Sequence, residues 1–298
     1  YLFGCVALGN GKAMAVVTAV VLALFGVMWL LLGRSFLKIA TSSGKTERRM
    51  YRETRTQRKS IGAALLGKEF ARFLSSPNYM LNCGLGVLLL PISGIVLLIK
   101  GRDLMPMLAM AFDNQPGSAA VLLCTAVCVV ASMNDMAAPS ISLEGKNLWL
   151  LQSLPLKPWQ ALRAKLSVQL LLTSIPALFA SACAAIAGGL SAVETLLTLL
   201  VPQAVILMMA LLNLTVGLKM PNLTWTSEIV PIKQSASVMI GLLGGMIYGI
   251  LPIAGFLMFG HRMGANAYMA CFMALTLAIS VGLYVWLKKK GGAAFAAL

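Results

Sequence analysis

Few side chains in these 298 residues could do chemistry: nine carboxylates, one histidine and six cysteines. His261 stands beside Arg262 in a stretch that reads as a turn between two apolar runs, with no partner that would make it a base or a ligand. The cysteines are Cys5, Cys83, Cys124, Cys128, Cys183 and Cys271, mostly within apolar runs and with no CxxC pair. Cys124 and Cys128 share a helix face, but their run contains no histidine or carboxylate, so they read as small packing residues rather than metal ligands. Ser43-Gly44-Lys45-Thr46 contains the GKT that ends a phosphate-binding loop, yet Ile39 stands where that loop needs its first glycine and no buried strand precedes it. No nucleophile–histidine pair can be assembled, so the chain reads as non-enzymatic and as holding no cofactor of its own. Asp135 and Glu194 fall at the ends of apolar runs, which disfavours a carrier with midplane carboxylates.

The most patterned group of charges lies in Pro139–Lys165, which holds Glu144, Lys146, Lys157, Arg163 and Lys165 with Trp149 and Trp159 among them. Leu143, Leu150, Leu151 and Leu154 recur as one stripe of a helix. Ser140 or Ser142 could cap it, and Glu144 suits its first turn. Pro155 follows its end, and Pro158 fits the first turn of the next helix. The pattern predicts a short amphipathic helix at a membrane surface, either an interfacial anchor or a docking element.

The elements that position these residues must be membrane helices. The chain is 59% hydrophobic and 11% charged, against roughly 25% charged in soluble domains. Its apolar runs are about 20 residues long and do not alternate, which selects helices over a barrel. The expected fold is an all-α, polytopic transmembrane helix bundle. Seven spans are read: Ala13–Leu32, Met80–Ile99, Ser118–Met133, Leu166–Ile186, Thr195–Val216, Ala236–Phe259 and Ala267–Leu287. Twenty of the 24 lysines and arginines fall in segments on one side of this topology and four on the other. Basic loops stay inside, so the first residues are expected outside and the C-terminus in the cytoplasm of a multi-pass cell-membrane protein. The net charge of +15 then reports orientation and contact with anionic lipid rather than nucleic-acid binding.

Residues 34–59 read as a basic cytoplasmic linker. Residues 60–76 read as an interfacial helix with Leu66, Phe70, Phe73 and Leu74 on one face and Lys68, Arg72 and Ser75 on the other. Gly241, Gly245 and Gly249 form a double GxxxG that lets helix backbones approach, and packing within one subunit is the reading it favours.

Three stretches carry a family resemblance. The first is Ser142-Leu143-Glu144-Gly145-Lys146-Asn147-Leu148-Trp149. The second runs from Lys68-Glu69 through Phe70, Arg72 and Phe73 to Ser76-Pro77-Asn78-Tyr79. The third is Pro221-Asn222-Leu223-Thr224-Trp225 with Glu228 and Lys233, where Pro231 is expected to interrupt any helix. In order and spacing they resemble the six-span permease unit of ABC-2 type transporters. That resemblance implies transport driven by ATP and Mg hydrolysis chemistry in a separate cytosolic ATP-binding subunit, acting as a dimer. Glu144, Gly145, Lys146, Asn147 and Trp149 would form the coupling helix, and Lys68, Glu69, Phe70, Arg72 and Phe73 the connecting helix. Trp225, Glu228 and Lys233 would make a second cytoplasmic contact. Residues 60–290 would be one complete permease unit, 1–33 the last span of an upstream unit, 34–59 their linker and 291–298 a cytoplasmic tail. The chain would be the second half of a tandem permease. A membrane structural or assembly protein, or a secondary carrier, are the alternatives.

The charge asymmetry makes a direct prediction. In a background without native cysteines, a cysteine placed in 45–59 should be shielded from an impermeant thiol reagent in intact cells, and one in 110–116 should be labelled. The reverse pattern would overturn the orientation.

Overall fold

The computed structural model describes residues 5, 8–41, 59–111 and 116–298. The GKT sequence, most of the basic linker and residues 112–115 lie outside them. The chain forms two units, residues 1–57 and 58–298. In the first, α1 (Gly11–Thr41) is apolar on all sides between Ala13 and Leu32 and leaves large side chains such as Leu22, Trp29 and Leu31 exposed, as a helix solvated by lipid does.

The second unit begins with α2 (Ile61–Ser75), capped by the Ser60 hydroxyl, and α3 (Pro77–Cys83), where Ser76 caps and Pro77 takes the first position. It continues with α4 (Leu85–Ala111) and α5 (Ser118–Ser132), then a 3-10 turn at Ser142–Asn147 and the six-residue α6 (Leu148–Ser153). After these come α7 (Pro158–Gly188), α8 (Ala192–Lys219), the short α9 (Ile229–Lys233), α10 (Ala236–Met263) and α11 (Ala265–Trp286). A π turn (Leu287–Gly291) and α12 (Gly292–Ala296) complete it. No strand occurs among the described residues.

The span count differs from the sequence expectation. Five helices are long and apolar enough to cross a membrane, and a sixth span exists if α3 and the Leu85–Gly101 part of α4, bent by 54°, are taken together. The third expected span is the exception. Helix α5 has only 15 residues, about 22 Å at 1.5 Å per residue, against a hydrocarbon core of about 30 Å. Its chain does not leave the protein there: residues 133–141 continue as non-helical backbone with nearly every residue buried. Smaller corrections follow from local physics. The expected break at Pro231 is absent, because Pro231 is the third residue of α9, within the first turn where its missing N–H costs nothing. His261 and Arg262 occupy the last turn of α10 rather than a loop. The end of the chain folds back, with Phe295 buried and its carbonyl accepting from Gln152 Nε2 at 2.9 Å.

Helix α8 is the centre of this unit, its apolar stretch more enclosed than those of α7, α10 and α11. Its neighbours are α5, α7, α10 and α11. Small residues set the distances. A Cβ on Gly245 would lie 2.7 Å from Met209 Cε of α8, and one on Gly249 would lie 3.2 Å from Val129 Cα of α5. The Gly241–Gly245–Gly249 edge of α10 is therefore filled by helices of the same chain. The tightest approach is at Gly217 of α8, where any Cβ would run into the Ala138 carbonyl of the buried non-helical segment.

Gly217→Val should cost about 1–3 kcal/mol or more through overpacking, whereas Gly244→Val, with open space around its Cβ position, should be tolerated. Thermal unfolding of the purified variants in detergent checks this, and equal stability of the two would refute the close approach.

Candidate functional site

Residues 133–141 are nearly all buried without a continuous helical hydrogen-bond ladder, so their peptide groups need individual partners. Some find one locally: Asn134 N–H donates to Ala131 O and Ala138 N–H to Asp135 O. Pro139 O and Ile141 O accept from Leu143 and Glu144 N–H, and Asp135 N–H donates to Cys83 O of α3; other carbonyls draw on side chains from other elements. Gln169 of α7 donates Nε2 to Asn134 O at 2.8 Å while its Oε1 accepts from Ala137 N–H at 2.9 Å. The Tyr79 hydroxyl of α3 donates to Met136 O at 2.6 Å. Lys165 Nζ donates to Ser140 O at 2.9 Å, and Trp225 Nε1 to Ser142 O at 2.6 Å.

Lys165 also anchors an ion cluster. Its ammonium, fully buried, donates to Glu69 Oε1 at 2.9 Å and Glu144 Oε1 at 2.6 Å. With Ser140 O, all three of its donors are used. Glu144 in turn accepts from Lys68 at 2.9 Å and Arg72 at 2.8 Å. Three cations thus meet two carboxylates. Burial alone would raise the Glu144 carboxyl, but the Lys165 and Arg72 cations more than offset this and hold it well below the usual carboxylate range.

The three sequence stretches singled out above come together here. Lys68 and Arg72 from the second reach Glu144 of the first, and Trp225 of the third caps the Ser142 carbonyl. Gly145 lies at φ 53°, ψ −137°, and a Cβ there would lie 3.1 Å from the Trp225 ring. Only glycine suits both the backbone and the close contact. Glu228 accepts from Ser76 Oγ at 3.2 Å, while Lys233 is exposed.

Two expectations are corrected. The amphipathic helix across residues 142–154 is a 3-10 turn and a short α-helix, broken by the positive φ at Gly145. Its leucine stripe is accordingly split: Leu143 and Leu151 are buried, while Leu150 and Leu154 are exposed. Neither Ser140 nor Ser142 caps it, since Ser140 Oγ donates to Ala137 O and Ser142 Oγ accepts from Asn222 N–H. The second correction concerns α2. Its buried face is Leu65, Glu69 and Phe73, with Leu66 and Phe70 half-buried and Leu74 exposed. The helix is rolled towards α7 because Glu69 must reach Lys165. Glu144 and Gly145 are buried, leaving Lys146, Asn147 and Trp149 exposed.

Sequence reasoning missed two members. Lys165 was counted only among the charges of Pro139–Lys165, and Gln169 was not singled out at all. Their i, i+4 spacing on α7 was the available signal. Asp135, read as a span end, is also buried, and burial pushes its carboxyl up to about 7 against the opposing influence of the Cys83 thiol.

Removing one partner from a desolvated ion cluster strands the others, so Lys165→Met should cost about 3–5 kcal/mol. Combining it with Glu69→Gln and Glu144→Gln should restore most of that loss. Because the folded Glu144 carboxyl lies below its ordinary 4.5, its stabilisation is present above that pH and lost as pH falls below it. Thermal unfolding of these variants between pH 3 and pH 8, in the range where the detergent-solubilised protein unfolds reversibly, is the check. A cost below about 1 kcal/mol for Lys165→Met would mean the cluster is solvated.

No curated protein and no solved structure matches this chain. Residues 8–285 match a family described as "Membrane protein of 12 TMs". That match overturns the ABC-2 resemblance drawn from the three stretches. A match over this much of the sequence settles the membership, and together with the long apolar helices makes this a multi-pass membrane protein. The chain belongs to the family of membrane proteins of 12 TMs.

Proposed function

We propose that this chain is a transport permease whose cytoplasmic end is moved by a separate cytosolic ATP-hydrolysing subunit. The observation that carries the reading is the exposed ridge beside the ion cluster. Trp149 is 64% and Leu150 55% exposed, a costly display of apolar surface unless something covers it. Beside it runs a groove of about 630 Å³ whose lining includes Leu65, Lys68, Leu151 and Leu154. An aromatic anchor next to an apolar groove with a basic edge has the make-up of a protein contact.

The ridge is also mechanically suited to transmit motion. Glu144 sits at its base and joins it to α2 and α7 through desolvated ion pairs, while Trp225 ties it to the approach to α10. Force applied at Trp149 would therefore pass to spanning helices without a flexible link. Glu144 is the anchor in this arrangement, and Lys146, Asn147 and Trp149 are the contact. The burial of Asp135 favours a second reading, a carrier coupled to a cation gradient, because an ionisable group inside a bundle is a usual mark of such coupling.

Trp149→Ala should leave membrane insertion and thermal stability unchanged, lower co-purification of a cytosolic ATPase by at least tenfold, and lower its stimulation in parallel. Glu144→Ala should instead lose stability first. Affinity purification from the native membrane followed by ATPase assay separates these outcomes. The permease reading fails if no ATP-hydrolysing subunit accompanies the wild-type protein.

A further inference from the structure

At the point where α5 stops, the structure gathers polar atoms that the ion cluster does not use. Asp135 is 1% exposed and Asn213 of α8 fully buried. Asp135 Oδ2 and both side-chain polar atoms of Asn213 have no hydrogen-bond partner among the described residues. The two side chains share one small space beside Gly241 of α10. From the position a Cβ would take on that glycine, Asn213 Oδ1 is 2.6 Å away and Asp135 Oδ2 3.6 Å away. The absence of a side chain at Gly241 is what lets the Asn213 carboxamide lie against the backbone of α10 beside Asp135.

The surroundings are poor in countercharge. From α3 come the Cys83 thiol, beside Asp135, and Tyr79, whose hydroxyl is committed to Met136 O. Helix α7 brings Gln169, already bonded on both its polar atoms, and α8 brings Asn213. Helix α10 brings Gly241 and, a turn earlier, Ser237, which is paired with Ser235. Among the described residues no lysine, arginine or histidine forms an ion pair with Asp135. The preceding helix ends at Ser132, and a helix C-terminus carries negative partial charge, which opposes a second negative charge just beyond it. A bare carboxylate in this position would cost far more than the fold could offset.

We infer that Asp135 and Asn213 form a binding site for one small monovalent cation, a proton or a sodium ion, at the interrupted end of α5. The cation neutralises the carboxylate, and the Asn213 carbonyl oxygen supplies a neutral second ligand. A proton would sit on Asp135 Oδ2 and be donated towards Asn213 Oδ1. A sodium ion would be shared by both oxygens, with further oxygen ligands completing its shell. A divalent ion fits less well, since one carboxylate would leave a surplus positive charge and such ions are usually held by several. Interrupted helices whose carbonyl ends and adjoining side chains coordinate a coupling cation are the general solution for ion sites inside helix bundles. The site stands independently of the ATPase reading, because it uses none of the ridge residues.

The test uses the whole purified protein in detergent, with sodium chloride exchanged for choline chloride as the probe and pH varied between 5 and 9. Thermal unfolding and the infrared band of a protonated carboxylic acid are the two readouts. If sodium is the ligand, it raises Tm saturably at pH 8.5 and Asp135→Asn abolishes the response. If the proton is the ligand, Tm is indifferent to sodium, the acid band titrates in this range and is missing from Asp135→Asn, and stability falls as pH rises through the titration. The sign follows from linkage, because a carboxyl held above its ordinary value stabilises the fold only while protonated. Should Asp135→Asn fail to fold, Asn213→Ala takes its place: it should weaken half-saturating sodium by about tenfold or shift the acid band's titration. Identical sodium and pH responses in wild type and Asp135→Asn, or an Asn213→Ala response unchanged where the first variant does not fold, overturn the assignment.

Discussion

The constraint on which this structure depends is that residues 133–141 are buried but not helical. In a bilayer such backbone survives only if protein groups satisfy it. Three of its carbonyls, at Asn134, Met136 and Ser140, and that of Ser142 just beyond are each reached by a side chain from elsewhere: Gln169, Tyr79, Lys165 and Trp225. These donors come from α7, α3 and the chain before α9. The segment therefore acts as a hub that fixes the positions of elements far apart in sequence. Its conformation also explains why Gly217 has no side chain, since α8 passes directly against the Ala138 carbonyl.

Satisfying the backbone brings a second requirement. Using an ammonium as a donor places a charge where water is excluded, and Lys165 has a fully buried side chain. Glu69 and Glu144 supply the neutralising carboxylates, and the second of these draws in Lys68 and Arg72. The sequence of causes runs from one carbonyl, through one lysine, to the orientation of the whole helix α2. An isosteric apolar cluster could be as stable, but it could not hold the Ser140 carbonyl. The ion cluster is in this sense a consequence of the interrupted helix.

How far the sequence revealed this depends on what kind of information each feature needs. The long apolar helices were legible because bilayer thickness imposes their length, and Pro158 at the start of α7 was legible because its chemistry is local. The short α5 was not. Val130, Ala131 and Ser132 continue the helix without a breaker, and tertiary bonds from Gln169, Tyr79 and the Cys83 carbonyl compensate the unwinding after Met133. The roll of α2 was misread for a related reason. Placing Leu66, Phe70, Phe73 and Leu74 on one face of an interfacial helix assumed that apolar residues define the face, whereas the face packed on the protein includes Glu69, the buried partner of Lys165. The proximity of the three patterned stretches could be anticipated from topology, but Gly145 hid the geometry: a helical leucine period spans it, and its positive φ is invisible until Trp225 is seen against it.

The same interrupted chain makes two polar environments of opposite character a few residues apart. At Glu144 the carboxylate has an excess of cations and is held ionised; at Asp135 none of the described residues supplies an ion pair, and burial favours the neutral form. Both belong to the stretch between α5 and α6, and the backbone between them is fixed at each end by side-chain donors. A change in charge at Asp135 would alter the demand for hydrogen bonds around Asn134 and Met136, whose carbonyls are held by Gln169 and Tyr79. Gln169 lies one turn from Lys165 on α7, and Lys165 grips Ser140 and Glu144. The path from the buried acid to the exposed ridge at Trp149 is thus a continuous series of hydrogen-bonded groups and packed backbone. Contiguity of this kind supplies the physical means for coupling, and coupling itself requires that the segment have a second arrangement which the charge state of Asp135 favours.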